Sequence, residues 1–125
     1  MVNSDESPVP DRSPAEVLTA WLEHFNRADA TAIAQLYSAD AVNHQMPLEP
    51  VVGRDAIRRM HAETFESGVT ACTPVNRYCD GEWAILEWSD PQGMRGCGFF
   101  HVVGGYIVAQ RGYWDTAMMN RTHTG

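Results

Sequence analysis

A change in hydrophobic periodicity near the middle of the chain constrains its fold more than any other feature. Before Val69 the apolar residues recur at the three- and four-residue spacing of helices with one buried face. After Val69 they alternate, or form short apolar runs bounded by turn residues, which is the pattern of strands. Helices first and antiparallel hairpins later indicate an α+β domain, in which helices cover one face of a sheet.

The first half of the chain predicts three helices. Ser13 and Glu16 have the spacing of a capping box, so the first helix is expected to begin there. Asp29 is expected to cap a second, short helix, whereas Gly53-Arg54-Asp55 opens a third helix that Gly68 ends. The apolar side of the second helix is expected to carry Ile33, Leu36 and Tyr37.

The second half predicts antiparallel hairpins joined by turns rich in Asp, Pro and Gly. An early strand is expected at about residues 41–45, before a proline-flanked loop at 46–50. The later strands are expected at about residues 70–79, 82–89, 95–103 and 106–115. The domain is therefore predicted over residues 13–119, with a flexible tail at 1–12 and a C-terminal tail at 120–125.

The charge composition argues against nucleic acid and membranes as partners. The 125-residue chain has 9 basic residues, all of them Arg, and 16 acidic residues, for a net charge of −7. Without a clustered basic face it cannot displace counterions from a phosphate backbone or bind an anionic membrane surface. No apolar run approaches the roughly 18 residues of a membrane span. The N-terminal residues lack the basic start and apolar core of a signal peptide, so a cytoplasmic location is expected.

Neither the cysteines nor the histidines have the spacing of a metal site. The thiols are those of Cys72, Cys79 and Cys97. An odd number of cysteines without a CxxC motif favours a reducing compartment and buried, unpaired thiols over a disulfide framework. The histidines that show no ligand spacing with a carboxylate are His24, His61 and His123. We therefore expect neither a disulfide nor a bound metal.

Two segments of the chain resemble a known superfamily. One spans residues 37–57 and contains Asn43-His44-Gln45-Met46-Pro47-Leu48 and Gly53-Arg54-Asp55-Ala56; the other is Gly105-Tyr-Ile-Val-Ala-Gln-Arg-Gly-Tyr-Trp-Asp115. They are similar to the nuclear transport factor 2-like superfamily, and within it to the SnoaL-like polyketide cyclases and the limonene epoxide hydrolases. The resemblance implies a cone-shaped α+β barrel, in which three N-terminal helices wrap a curved, mostly antiparallel sheet around one apolar pocket. It also implies acid–base chemistry without a metal or organic cofactor, and a homodimer.

The epoxide hydrolase relay is only partly present. Those enzymes activate water with an Asp-Arg-Asp relay, aided by a Tyr and an Asn. The resemblance places Asp90 at one relay Asp, Trp88 at the Arg and Gly112 at the other Asp. It places Asn43 at the Tyr and Gln45 at the Asn. Only Asp90, a carboxylate, and Gln45, an amide, have the same functional group as the residue they replace. Hydrolysis through this relay is therefore disfavoured.

The resemblance also points to three catalytic candidates. His44 occupies the position of a carboxylate base in ketosteroid-isomerase-like members, and a neutral imidazole is suited to proton abstraction beside a carbonyl. His101 and Asp115 look like the His and Asp that serve the site on the last two strands of SnoaL-like cyclases. The plainer interpretations are that His44 is a surface histidine and that His101 is a core histidine bonded to a neighbour. Asp115 would then be a carboxylate paired with Arg111. On a regular strand Asp115 and Gly112, the position of the second relay Asp, would face opposite sides of the sheet. Only a bulge between them would put both on the same side.

A second group of residues is predicted to contact the substrate. Gln45 can hydrogen-bond a substrate oxygen, and Asp90 retains a carboxylate. Trp88, Phe99 and Trp114 are expected to form aromatic walls. Turn chemistry alone would explain Asp90, and core packing would explain the aromatic residues. Room for a ligand is expected where neighbouring strands carry Gly96, Gly98 and Gly112.

These observations favour an enzyme of the isomerase, cyclase or dehydratase type, acting on a small apolar carbonyl compound or cyclic metabolite. His44 would be the base, with His101 and Asp115 as an acid or orienting pair. One alternative is a non-catalytic binding module for an apolar ligand. Another is an epoxide hydrolase with an altered relay. Enzymes and binding proteins of this kind share one scaffold, so the choice depends on the geometry of the site.

Overall fold

Three helices and one six-stranded sheet build the domain in the computed structural model, which describes residues 12–69 and 71–116. In chain order the elements are α1 (Pro14–Asn26), α2 (Ala30–Ala34), β1 (Tyr37–Gln45), β2 (Val51–Val52), α3 (Arg54–Glu66), β3 (Thr73–Asp80), β4 (Trp83–Ser89), β5 (Arg95–Val103) and β6 (Tyr106–Trp114). The strands lie in the order β2-β1-β6-β5-β4-β3, so the sheet is open, with β2 and β3 at its edges. β1 runs parallel to β6, and the other pairs are antiparallel. The predicted α+β class and mostly antiparallel sheet are confirmed.

Local side-chain chemistry sets where the helices begin. Ser13 Oγ accepts a hydrogen bond from the Glu16 N–H at 3.1 Å, and Glu16 Oε1 accepts one from the Ser13 N–H at 2.8 Å. This is the predicted capping box, which satisfies two backbone donors at once. Asp29 Oδ1 accepts a bond from the Ala32 N–H at 3.0 Å and caps α2. Gly53 precedes α3 with a φ of 98°, in the region that favours glycine.

The second helix is shorter than its apolar spacing predicts. It ends at Ala34, and Tyr37 already belongs to β1, so assigning Leu36 and Tyr37 to this helix is wrong. The Leu36 carbonyl accepts a hydrogen bond from the Ile107 N–H at 2.8 Å, and Tyr37 pairs with Ile107 in the parallel ladder. Backbone pairing with β6 therefore overrides the local pattern. The two-residue strand β2 at Val51–Val52 was not predicted, because so short an element has no periodicity.

Strand parity gives the sheet an inner face, toward the helices, and an outer face. Because cross-strand partners share a face, the register between β4, β5, β6 and β1 sorts the side chains into rows. One inner row consists of Leu86, Gly98, Gly112 and Gln45. The adjacent outer row consists of Ile85, Phe99, Arg111 and His44. A second inner row consists of Trp88, Gly96 and Trp114.

The core lies between the inner face of the sheet and the helices. Burial is nearly complete for residues from α1, α2, α3 and four strands, including Val17, Leu18, Ile33, Ile57, Leu86, Phe100 and Ile107. Each fully buried aliphatic or aromatic side chain contributes on the order of 2 kcal/mol of hydrophobic free energy. No helix within residues 12–69 and 71–116 is long and apolar enough to cross a membrane.

The three thiols have different environments. Cys72 is buried and Cys97 is half-buried, whereas Cys79 is exposed. The expectation that all three would be buried is therefore wrong for Cys79. The reason is that Cys79 lies on the edge strand β3, where every residue is exposed.

We predict that Gly96→Ala destabilises the domain by about 1–3 kcal/mol, as overpacking does in other cores. A Cβ at this position would overlap the Trp88 indole and approach the Tyr113 carbonyl oxygen to 2.6 Å. Urea unfolding of the variant measures the cost.

The double variant Gly96→Ala, Trp88→Phe is the control, because a smaller ring at 88 gives the new methyl group part of the space it needs. Its destabilisation is expected to be less than the sum of the two single changes. Strict additivity would show that the contact between Gly96 and Trp88 does not limit packing here.

Candidate functional site

A cavity of about 280 Å³ lies between the helices and the inner face of the sheet. Its lining comes from α1, α3, β1, β4, β5 and β6 and from three connecting loops. Two lining residues on these loops remain largely open to solvent: Leu48 is 60% exposed and Val69 is 40% exposed. The loops that carry Leu48 and Val69, together with the β4–β5 turn, therefore border the mouth of the cavity.

Two neighbouring glycines leave one wall of the cavity without side chains of its own. Gly98 and Gly112 are cross-strand partners in the inner row that begins at Leu86, and both line the cavity. An ideal Cβ built on Gly112 would overlap the amide of Gln45, which follows in the same row. The space over Gly112 is therefore filled from β1 by a neutral amide. This is the position that the resemblance to the epoxide hydrolases assigns to a relay carboxylate.

A chain of hydrogen bonds crosses the buried end of the cavity. Gln45 Nε2 donates to Asn43 Oδ1 at 2.7 Å, and Asn43 Nδ2 donates to Gln110 Oε1 at 3.2 Å. The Tyr37 hydroxyl also donates to Gln110 Oε1, and it accepts from Trp21 Nε1 at 3.0 Å. Two polar atoms stay unused by the described residues: Gln45 Oε1 accepts no hydrogen bond and Gln110 Nε2 donates none. Both residues line the cavity, so their two amides offer a ligand one acceptor and one donor.

Burial keeps the tyrosine of this network neutral. Tyr37 is fully buried, and desolvation raises the pKa of its hydroxyl well above its ordinary value. It therefore acts as a hydrogen-bond donor to Gln110 and not as a phenolate. The hydroxyl both accepts and donates a hydrogen bond, and this fixes the tyrosine and its two partners in one arrangement.

His61 on α3 is the buried titratable group at this end. It lines the cavity and is only 3% exposed, among Trp21, Phe25 and Phe65. Its Nε2 lies 3.4 Å from the Tyr37 hydroxyl, which has already given its proton to Gln110. Nε2 is therefore the donor and carries the proton, and Nδ1, which has no partner, keeps a lone pair. Burial lowers the pKa of His61 to about 4, so the ring is neutral at physiological pH.

Asp90 supplies the charge at the other end, in the turn that borders the mouth. Its Oδ1 accepts hydrogen bonds from the N–H groups of Gln92 at 2.9 Å and Met94 at 2.8 Å. This confirms the turn chemistry expected from the sequence, yet Asp90 also lines the cavity. Burial and the charge of Asp90 raise the pKa of the Cys72 thiol to about 12. Cys72 therefore stays protonated and is not a nucleophile in this state.

The three catalytic candidates lie outside the cavity lining. His44 is in an outer row, and its Nε2 bonds to the Leu48 carbonyl at 3.1 Å. His101 is on the outer face, where its Nε2 lies 2.7 Å from Glu82 Oε1. Asp115 is exposed just beyond β6. His44 and His101 face away from the cavity because both have the parity of the outer face.

Four of the five predicted contact residues line the cavity. They are Gln45, Trp88, Asp90 and Trp114. Phe99 does not, because it pairs with Arg111 in the outer row, and it packs edge-on against Tyr113 at 6.0 Å. Phe99 was expected to form part of the aromatic wall, but it lies on the face of the sheet opposite the cavity. The homodimer expected from the resemblance stays a prediction.

The sequence alone did not single out the buried network. Apolar spacing predicts Tyr37 in a helix, and His61 has no ligand spacing. Gln110 lies within a predicted strand and has no predicted role. A signal was present: polar side chains on faces that are otherwise apolar must find partners when buried. Among the described residues, no group of three or more His, Cys, Asp or Glu side chains could hold a metal ion.

We predict that the neutral state of His61 makes stability depend on pH. Because its pKa falls from 6.5 to about 4 on folding, its contribution is complete above pH 6.5 and is lost as the pH falls toward 4. The expected loss in free energy of unfolding between pH 7 and pH 4 is about 3 kcal/mol. Urea titrations across this range measure it.

His61→Phe, which cannot titrate, should remove that part of the pH dependence. His24→Gln changes a histidine outside the cavity and should keep it. Equal pH profiles for the wild type and His61→Phe would contradict a neutral, buried His61.

Comparison with known proteins identifies the fold family. The sequence profile of the SnoaL-like domain matches residues 18–110. A putative SnoaL-like polyketide cyclase from Shewanella denitrificans OS-217 superposes with a TM-score of 0.75 at 11% identity, covering 89% of this chain and 96% of that one. The epoxide hydrolase/cyclase-like enzyme SalBIII, described in pyran ring formation in the polyether salinomycin, gives 0.74 at 18% identity over 83% and 92%.

A third similar structure is an NTF2-like protein of unknown function from Mesorhizobium loti, with a TM-score of 0.72 at 21% identity over 86% and 97% of the two chains. Comparison with curated protein sequences gives no significant match. At these identities the structural neighbours establish the fold alone. The profile match covers most of the domain, and on that ground the chain belongs to the SnoaL-like domain family.

Proposed function

We propose that the chain binds a small, mostly apolar organic molecule that carries one carbonyl or hydroxyl oxygen. The observation that supports this most is the cavity itself, in which the two amides of the buried end leave one acceptor, Gln45 Oε1, and one donor, Gln110 Nε2, unused. A ligand hydroxyl can use both atoms, whereas a carbonyl oxygen can accept only from Gln110 Nε2. The remaining lining is largely apolar, so burial of the ligand body supplies most of the affinity.

Rigidity of the polar wall favours selective binding. A hydrogen bond to Asn43 fixes the amide of Gln45, which supplies the acceptor. Hydrogen bonds from Tyr37 and Asn43 fix the amide of Gln110, which supplies the donor. A preorganised site loses little conformational freedom when it binds. It also rejects a hydrocarbon of the same shape, because such a ligand would bury the two polar atoms without partners.

We predict that the protein binds cyclohexanol more tightly than methylcyclohexane, its hydrocarbon analogue, in ligand-observed NMR titrations. In Gln45→Leu the alcohol, whose hydroxyl donates to Gln45 Oε1, should bind about tenfold more weakly, which corresponds to one lost hydrogen bond, whereas the hydrocarbon should be unaffected or gain.

Gln35→Leu is the matched control, because it makes the same change on an exposed residue outside the cavity. It should leave both affinities unchanged. If neither probe saturates the wild-type protein, the cavity is not a site for ligands of this kind.

A second candidate function is acid–base turnover of such a ligand, and it depends on Asp90. This residue is the single carboxylate among the described residues that line the cavity. Oδ1 is fixed by two backbone N–H groups, whereas Oδ2 accepts no hydrogen bond from the described residues. Oδ2 could take a proton from the carbon beside a carbonyl, while the electron pair moves to the carbonyl oxygen. Isomerisation, cyclisation and dehydration all begin with such a step.

Hydrolysis of an epoxide through an altered relay gains no support, since a neutral amide fills the space over Gly112.

We predict that, if the chain is an enzyme of this type, it accelerates exchange of the α-protons of bound cyclohexanone in deuterated water. Asp90→Asn keeps the turn, because the amide oxygen can accept the same two N–H bonds, but it removes the base. The exchange rate should fall by about 100-fold or more.

Asp80→Asn is the control, because Asp80 is an exposed carboxylate on the β3–β4 hairpin and outside the cavity lining. This variant should keep the wild-type exchange rate. An exchange rate in the wild type no faster than in buffer would leave binding, without turnover, as the function of the cavity.

A further inference from the structure

The charges around the cavity do not balance. Among the described residues that line it, Asp90 is the one carboxylate, and there is no Arg or Lys. His61 does not compensate, because burial lowers its pKa to about 4 and leaves it neutral. A carboxylate partly removed from water, with no cation beside it, is unfavourable by itself. The cavity therefore has a net negative charge when nothing is bound.

Two indoles line the same cavity as this carboxylate. Trp88 lies two residues before Asp90, at the end of β4, and Trp114 belongs to the same inner row on β6. Gly96 separates them in that row, and the Trp88 ring lies where a Cβ of Gly96 would be. Trp114 Nε1 is buried without a hydrogen-bond partner. A tryptophan ring is the aromatic surface that attracts a cation most strongly.

We infer that this end of the cavity binds the ammonium group of an amine, held by the Asp90 carboxylate and the indoles of Trp88 and Trp114. The inference rests on the proposed function, because the apolar body of the same ligand fills the rest of the cavity. It adds the ligand class: primary, secondary or tertiary amines that are protonated at neutral pH.

The geometry of Asp90 suits this role. Its Oδ1 is held by the N–H groups of Gln92 and Met94, so the carboxylate has a defined position. Oδ2 accepts no hydrogen bond from the described residues and is available to an N⁺–H donor. Charge-assisted bonds of this type are stronger than neutral ones. The charge also acts within the cavity, since it contributes to the raised pKa of Cys72.

The same charges exclude anionic ligands. A bound carboxylate would face Asp90 with no basic side chain in the described lining to offset the repulsion. The whole chain adds to this preference, because its net charge of −7 attracts cations and repels anions at a distance. The ranking of ligands by charge is therefore cation first, neutral second and anion last.

Three probes of similar size test the ranking: cyclohexylmethylamine, cyclohexylmethanol and cyclohexanecarboxylate. Each is titrated into the full-length protein at neutral pH and followed by NMR or calorimetry. The amine is expected to bind at least about tenfold more tightly than the alcohol, and the carboxylate at least about tenfold more weakly. In Asp90→Asn the amine should lose its advantage while the alcohol binds as before.

Two further variants complete the test. Trp88→Leu removes one indole and should weaken the amine more than the alcohol. Asp80→Asn removes an exposed carboxylate outside the cavity and should keep the ranking.

The possible failures are distinguishable. If the wild type binds the amine and the alcohol equally, or the carboxylate most tightly, the ammonium site is refuted and the proposed binding function stands. If an amine preference persists in Asp90→Asn, the site assigned to Asp90 is refuted. If none of the three probes binds, the proposed function fails, and the ammonium site fails with it.

Discussion

The register of β4, β5, β6 and β1 beside the cavity is the constraint on which the site depends. Since side chains alternate between the two faces of a strand, one register fixes which residues of four strands meet. It puts Gly98, Gly112 and Gln45 in one inner row and Phe99, Arg111 and His44 in the neighbouring outer row. The inner row lacks side chains at two successive positions, and the Gln45 amide takes the space over the second of them, Gly112. A slip of one residue would place Arg111 against the helices.

The buried polar network couples this sheet to the helices. Tyr37 is hydrogen-bonded to Trp21 of α1 and Gln110 of β6, and lies next to His61 of α3. Hydrogen bonds at this depth cannot be exchanged for bonds to water, so breaking one leaves an unsatisfied group. The network therefore keeps the helices at one distance from the sheet. It also leaves the Gln45 and Gln110 amides as the polar part of the cavity wall.

The two ends of the cavity have different chemistry. The buried end is neutral, with amides, a tyrosine hydroxyl and an imidazole whose charged form is suppressed by burial. The end near the mouth has the carboxylate of Asp90 and two indoles. A fold shared by enzymes and binding proteins does not by itself favour either function. Here the unpaired charge of Asp90 is the feature common to both proposals, as a base toward a carbonyl compound or as a counter-ion toward an amine.

The sequence by itself determined the α+β class, the capping box at Ser13, the start of α2 at Asp29 and the four later strands, since these depend on local spacing and turn chemistry. It also predicted that Gln45, Asp90, Trp88 and Trp114 contact a substrate, and these four residues line the cavity. Only the tertiary structure decided that Tyr37 joins β1, because that depends on pairing with a strand about 70 residues away. Alternation along one strand shows that Phe99 and His101 share a face, but it shows neither that His44 lies on the same face nor whether helices cover that face. That choice depends on which side of the sheet α1 and α3 pack against, a long-range contact that no local pattern encodes.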